Sequence, residues 1–538
     1  MILHENPRKC ATFLIKYLRP MLILAPVILL FLVALALLVL HYSQPDFKYP
    51  WMVAAGGSVL ALVAVLLWQA RLPLSFSLAP WQPAVIFAYS PTWLADESSW
   101  PYALALVILG AAVIWTSVAR AENNPLSWAG TLLLTALGIL AVAAGNPLTL
   151  VLIWTSLDLA ELVTMLRSTE GEEQSGSVVI AFALRLFGTG LVLWASAYSL
   201  SGGTTLDFRD VPARTGIFLL LASGLRLGVL PLHLPYRQEN VLRRGLGSSL
   251  RLVSAASSLA LLSRIPPSAL AGRLTPYLLV LAATAGLYAG WMWLRASDEL
   301  LGRPFWILGM ASLAVAASLR ANPAGSTALG VALLLAGGLL FLFSARQRSL
   351  MVLFFLALWS LSSLPFSLTA NAWLTADRSS WAFLLLLLPA QALLLAGFVR
   401  HALHPGETSF ESQARWAKII YPGGLLLPFA GLILLGVWEW SGSRSLGLIW
   451  AGPTVVVLSI GFTVLAIKVL VHRSPIPAAS RWTEIFRLDW LYRLLSGIYR
   501  VFVAVAGLVT SLLEGEGGIL WSLLLMVLIL SILSMSGR

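Results

Sequence analysis

The sequence predicts an all-α protein that crosses a lipid bilayer about sixteen times, a span needing roughly 20 apolar residues. Three observations carry that prediction. The chain has 538 residues, 59% hydrophobic and only 11% charged, with mean hydropathy +0.87; soluble domains carry about 25% charge. Apolar windows of spanning length recur along the whole chain, separated by short connections. Finally, the few charges inside those windows sit beside one another or beside prolines rather than being scattered.

The windows, in order, are 20–41, 51–69, 99–119, 127–145, 148–166, 177–200, 215–234, 248–264, 275–294, 304–320, 325–344, 350–371, 382–402, 420–440, 446–471 and 518–536. The first follows Arg8, Lys9, Lys16 and Arg19. Its apolar run, Met21 to Leu40, is too long for a signal-peptide core and lacks an A-x-A site, so it reads as a span. An even number of spans places both termini on one side. Connections after odd-numbered spans hold Arg120, Arg167, Arg237, Arg243, Arg244, Arg295, Arg303, Arg346, Arg348, Arg400, Arg415 and Lys418. Those after even-numbered spans hold fewer basic residues, among them Arg71, Arg209, Arg214, Arg264 and Arg320. Positive loops stay in the cytoplasm. The expectation is a multi-pass protein of the cell (inner) membrane with both termini on the non-cytoplasmic side.

One stretch is neither span nor plain loop. In Ser480–Gly518, Ile485, Leu488, Leu491, Leu495, Ile498 and Phe502 recur every three or four residues, with Arg487, Asp489, Arg493 and Arg500 between them. That pattern predicts a lateral amphipathic helix along the bilayer surface or along neighbouring spans, before the last span. Five parts follow: 1–126 (spans 1–3), 127–265 (spans 4–8), 275–402 (spans 9–13), 403–479 (spans 14–15), and 480–538 with the lateral helix and final span.

The net charge of +12 fits basic cytoplasmic loops better than nucleic-acid binding, since no basic run has interleaved aromatics. The single Cys10 excludes an intramolecular disulfide or thiolate cluster, and the six His lack metal-ligand spacing. There is no Walker loop, CxxC pair or Gly-rich dinucleotide fingerprint. No cofactor or metal is expected on this chain.

The charges within spans are the informative residues. In the fifth span, "NPLTLVLIWTSLDLAELVTMLRS", Asp158 falls near the bilayer midplane at 1.5 Å per residue from Pro147. Thr155, Asp158 and Glu161 are three residues apart and share a face. A carboxylate at that depth is costly and marks a functional site by default. Its expected partners are Arg185 in the sixth span, Arg226 in the seventh and Arg251 in the eighth. The seventh span, "GLRLGVLPLHLPYRQ", adds His233 and two helix breakers, Pro231 and Pro235. The twelfth, "SSLPFSLTANAW", has Pro365. A helix broken at membrane depth is tolerated where it packs in protein or lines a wet cavity, and transporters place sites at such breaks. Two breaks five spans apart point to inverted five-helix repeats, spans 4–8 and 9–13. Equally, the same charges can serve as fixed ion pairs that hold helices together.

These segments resemble the large antiporter-like membrane subunits of respiratory complex I (NADH-quinone oxidoreductase), of multisubunit cation/proton antiporters and of membrane-bound hydrogenases. The resemblance covers roughly residues 50–536. "GLRLGVLPLHLPYRQENVLRRGLGSSLRLVSAASSLALLSR" looks like the seventh and eighth helices of that family. "NPLTLVLIWTSLDLAELV" is similar to its fifth helix, "SLPFSLTANAW" to its broken twelfth, and Ser480 onward to its lateral helix. The resemblance implies one proton moved along a central polar axis. A fifth-helix glutamate then pairs with a seventh-helix lysine, and a basic residue on the eighth hands on to a lysine or glutamate on the twelfth. Here Trp154-Thr155 stands at the family's Trp-Glu, with Asp158 one turn on as the nearest replacement. Arg226 stands at the seventh-helix lysine, Arg251 at the eighth-helix basic site and Ala372 at the twelfth-helix lysine. The basic residues the family places near Leu329–Ser344 are absent. Arginine effectively does not release its proton, whereas a desolvated lysine can.

The function implied is an antiporter-like subunit of a complex I-like or related energy-converting complex. It would contribute to proton or cation translocation through a degenerate path and carry no catalytic redox site of its own. Expected partners are other membrane subunits, peripheral redox subunits and the lipid bilayer, with no nucleic acid. A second hypothesis is a non-pumping scaffold of such a complex. A third, an independent polytopic enzyme, would need a site on the Ser90–Trp100 loop, with Asp96 and Glu97, or on the His401–Glu411 loop, with His404.

Overall fold

The structure, a computed structural model, describes residues 22–79, 89–119, 124–168, 172–234, 244–270, 272–375, 378–411, 413–437 and 448–470, with 497, 500–501, 504, 507 and 522–527 further on. The chain divides into two compact units, Met1–Pro475 and Ile476–Arg538. In the second, the described residues are helical. The lateral helix over Ser480–Gly518 and the last span lie largely outside the described residues.

The first unit is a bundle of helices. They are α1 (Ala25–Ser43), α2 (Pro50–Gln69), α3 (Trp100–Thr116), α4 (Pro125–Val142), α5 (Pro147–Ser168), α6 (Glu172–Ser201), α7 (Gly216–Arg226) and α8 (Leu246–Ser263). They continue as α9 (Thr275–Arg295), α10 (Glu299–Leu319), α11 (Pro323–Phe341), α12 (Met351–Leu361), α13 (Leu384–Ala402), α14 (Arg415–Val437) and α15 (Ala451–Leu470). Thirteen helices among the described residues are long and apolar enough to cross a membrane; α7 and α12 are shorter. This is a multi-pass membrane protein.

Local chemistry sets the starts. Proline stands in the first turn of α1, α2, α3, α4, α9 and α11, where its missing N–H costs nothing. Asn124 accepts from Leu126 N (3.0 Å), Asn146 from Thr149 N (2.9 Å), and Asp298 from Leu300 N and Leu301 N (2.9 Å each). The Asp298 cap starts α10 at Glu299, five residues ahead of the apolar window. Glu299 and Arg303 look like loop charges by hydropathy, yet both are buried in the helix.

Two windows are helical only in part. α7 stops at Arg226, and residues 227–232 continue as turns. α12 stops at Leu361, and turns run to Trp373, with Ser363 (φ 58°) and Phe366 (φ 63°) in the left-handed region. Gln391 of α13 holds this turn. It donates to Leu361 O (2.7 Å) and Ser363 Oγ (2.9 Å), and accepts from Trp373 Nε1 (2.8 Å).

The connections collect at two ends. Residues between α7 and α8, at the start of α10, between α11 and α12, and between α13 and α14 meet through Arg244, Glu299, Arg346 and Glu407. There β3 (Ala345–Arg346) also pairs in parallel with β4 (Thr408–Ser409). At the other end Arg264, after α8, donates to Ala144 O, Leu94 O (3.1 Å) and Val142 O (3.3 Å). Beside it β1 (Leu74–Ser77) pairs antiparallel with β2 (Thr92–Ala95). α8 runs from one gathering to the other, so successive helices alternate in direction. The paired strands were not expected. They are four residues or fewer and lie in connections, where hydropathy carries no period.

α11 lies at the centre, with 94% of its best window buried, against 22% for α1 and α15. Close approach brings α9 onto α13: a Cβ on Gly290 would lie 2.9 Å from Leu393 Cβ and 3.2 Å from Ala390 O. Small residues let membrane helices approach this way. Gly290→Val is therefore expected to destabilise the bundle by about 1–3 kcal/mol through overpacking. Gly190→Ala, where a Cβ meets nothing within 4 Å, is expected to be neutral or mildly stabilising. Unfolding in detergent by SDS titration checks both.

Candidate functional site

α5 is turned inside out relative to a soluble amphipathic helix. Trp154, Asp158, Glu161 and Met165 are buried at spacings of three and four, while Leu152, Leu159, Val163 and Leu166 are exposed. The apolar face is left for lipid or partner protein, and the charges face the bundle.

Three arginines from three other helices meet that face. Arg226, at the end of α7, forms a two-point pair with Asp158: Nη1 to Oδ2 at 2.7 Å and Nη2 to Oδ1 at 2.8 Å. Its Nη1 also reaches Arg185 O (3.2 Å) and Thr189 Oγ1 (3.3 Å) on α6. Its guanidinium carbon lies 4.1 Å from the centre of the Trp154 ring. A desolvated cation–π contact of this kind is worth about 2 kcal/mol. Gly188 makes room on α6, since a Cβ there would fall 2.8 Å from Arg226 Cγ. Arg185 then pairs with Glu161 and lies 3.8 Å from Asp158 Oδ1. Arg251, from α8, pairs with the other oxygen of Glu161 and approaches Met165 Sδ at 3.9 Å.

The result is a ladder, Arg226–Asp158–Arg185–Glu161–Arg251, crossing four helices. Each carboxylate lies between two guanidinium groups, and all five side chains are buried. Bidentate carboxylate–guanidinium geometry is strong and directional. A proton or cation entering the ladder must displace an arginine from a carboxylate, because the arginines themselves do not exchange protons. Among the described residues no group of three or more His, Cys, Asp and Glu is placed to hold a metal ion.

The structure thus brings together Asp158, Glu161, Arg185, Arg226 and Arg251. Thr155 is half-buried and donates to Val151 O (2.8 Å) on its own helix. His233 is buried just past the turns after α7, its Nδ1 2.9 Å from Pro231 O. Pro231 lies in the same turns and Pro365 in those after α12; Pro235 is outside the described residues. Sequence reasoning missed Trp154 and Thr189 as members of the site. The available signal was spacing: each lies four residues from a charged member of its own helix.

No protein-family model matches the chain, and no curated protein matches its sequence. Solved structures do match its fold. A chain of the Mrp complex from a Dietzia species superposes with TM-score 0.68 at 15% identity, over 96% of this chain and 63% of that one. A chain of the membrane-bound sulfane sulfur reductase, an archaeal respiratory membrane complex, gives 0.60 at 15%, over 95% and 99%. A chain of respiratory complex I from Thermus thermophilus gives 0.59 at 20%, over 82% and 99%. The chain has the antiporter-like membrane-subunit fold. It spans about 63% of the length of the Mrp chain it matches.

Within this antiporter-like fold, two positions where the resemblance leads one to look for basic residues carry none, although the buried Arg320 donates to Trp373 O (3.2 Å) beside the second. α11 contains no charged residue. Ala372 is buried in the turns after α12, and its carbonyl accepts from Asn322 Nδ2 (3.2 Å). The loop acids have structural partners. Asp96 accepts from Ser98 N (3.1 Å) and Ser99 N (2.8 Å), and Glu407 pairs with Arg244 at 2.9 Å. His404 lies in the connection after α13, its Nδ1 3.3 Å from Pro405 O.

Proposed function

We propose that this protein is an antiporter-like subunit of a multisubunit, energy-converting membrane complex and contributes to proton or cation movement through a path throttled by arginine. The observation that supports this reading is the buried ladder across α5, α6, α7 and α8. Intramembrane carboxylates are expensive and mark ion pathways by default. They sit here where α7 gives way to turns, an arrangement transporters use for their sites. Redox chemistry, if coupled to it, belongs to partner subunits, and both termini lie on the non-cytoplasmic side.

Arginine keeps the charge of the pair but holds its proton, so the path through Arg226 runs by exchange of partners rather than by proton hopping. Lysine at that position restores a group that can release a proton when desolvated. In the assembly purified with its partner subunits and reconstituted into vesicles, Arg226→Lys is therefore expected to raise gradient-driven proton flux over wild type. Equal or lower flux, with the assembly intact, would overturn the throttled-path reading.

A further inference from the structure

A second group of buried charges lies at the end of the bundle and is used nowhere in the site above. Glu299, the first residue of α10, receives two arginines. Arg244 Nη2 pairs with its Oε1, and Arg346 Nη2 reaches the same oxygen at 2.8 Å. Arg244 also donates to Phe341 O (3.0 Å) and pairs through Nε with Glu407 at 2.9 Å. Arg346 also donates to His401 O (2.8 Å). The positions of the two arginines matter. Arg244 stands two residues before α8, the helix that carries Arg251 of the ladder in its second turn. Arg346 stands on the strand that leads into α12. One turn along α10, Arg303 donates to Ser248 Oγ of α8 (3.0 Å), a second strut between the same helices.

A helix is stiff along its axis, so a shift of Arg251 when Glu161 changes partner is carried to Arg244. Glu299 passes it on, because a buried carboxylate bonded to two guanidinium groups cannot release either without leaving a buried charge uncompensated. We propose that Glu299 is a positioning residue that couples the central ladder to α12 through α8. The route is Glu161–Arg251–α8–Arg244–Glu299–Arg346–α12. It rests on the exchange of partners proposed above for the ladder, whatever ion moves.

Coupling is measured on the full-length protein in detergent or nanodiscs by amide hydrogen exchange of residues 351–374. Arg251→Lys, which perturbs the ladder at Glu161, is expected to speed exchange in that segment several-fold. In the Glu299→Gln background, the same substitution is expected to leave exchange there unchanged. A purely structural Glu299 would raise the baseline and leave the response to Arg251→Lys intact; that result overturns the proposal, as does no response in the wild-type background. If Glu299→Gln does not fold, Arg346→Met removes the arm to α12, together with the bond to His401 O, and is read the same way.

Discussion

Replacing Asp158 with leucine is expected to cost about 3–5 kcal/mol of stability, the range for breaking a buried ion pair by removing one partner. The reason lies in what remains. Arg226 is buried, lies against the Trp154 ring and has Asp158 as its two-point partner. Removing that carboxylate strands a guanidinium in the middle of the bundle. The Asp158→Leu/Arg226→Leu double variant is expected to recover most of the loss, since apolar replacement of a whole buried pair is often neutral or stabilising. SDS titration of the purified protein distinguishes the two. A double variant no better than the single one would mean that the pair is not an energetic unit.

Glu161→Gln is expected to cost at least as much. Glu161 joins Arg185 and Arg251 through its two oxygens, so a single substitution removes the carboxylate between two buried cations. An amide offers one acceptor oxygen and an NH2 that only donates, which no guanidinium can use. Adding Arg251→Leu is expected to restore part of the loss, because Arg185 keeps Asp158 within 3.8 Å. A Glu161→Gln protein as stable as wild type would show that the ladder's lower half carries no binding energy.

Much of the fold was legible because a bilayer imposes one simple rule: spans are long and apolar. The windows 51–69 and 248–264 match α2 and α8 within two residues at each end. The rule failed where charge enters a helix for tertiary reasons. Glu299 and Arg303 hid the first turn of α10, and Arg415 and Lys418 hid that of α14. The ladder was legible too, since Asp158 and Glu161 at membrane depth had to find cations and only Arg185, Arg226 and Arg251 lay in neighbouring spans. The Glu299 group was not. Its members lie in three separate connections and at the start of α10, and in sequence each is one more charge at a helix end. Thr155 shows the limit of counting by threes. It shares a face with Asp158 by spacing, yet a threonine in a helix readily bonds back to the carbonyl four residues earlier, as it does to Val151.

Ion flux through the pair-deleted protein separates conduction from scaffolding. The Asp158→Leu/Arg226→Leu variant is expected to keep the bundle packed, and with its stability checked by SDS titration a loss of flux is not one of unfolding. In the reconstituted assembly, with all subunits present, it is expected to lose this subunit's share of gradient-driven proton or cation movement. Undiminished flux would contradict the proposal that charge moves through the ladder, and would leave Asp158 and Arg226 as a fixed tie between helices.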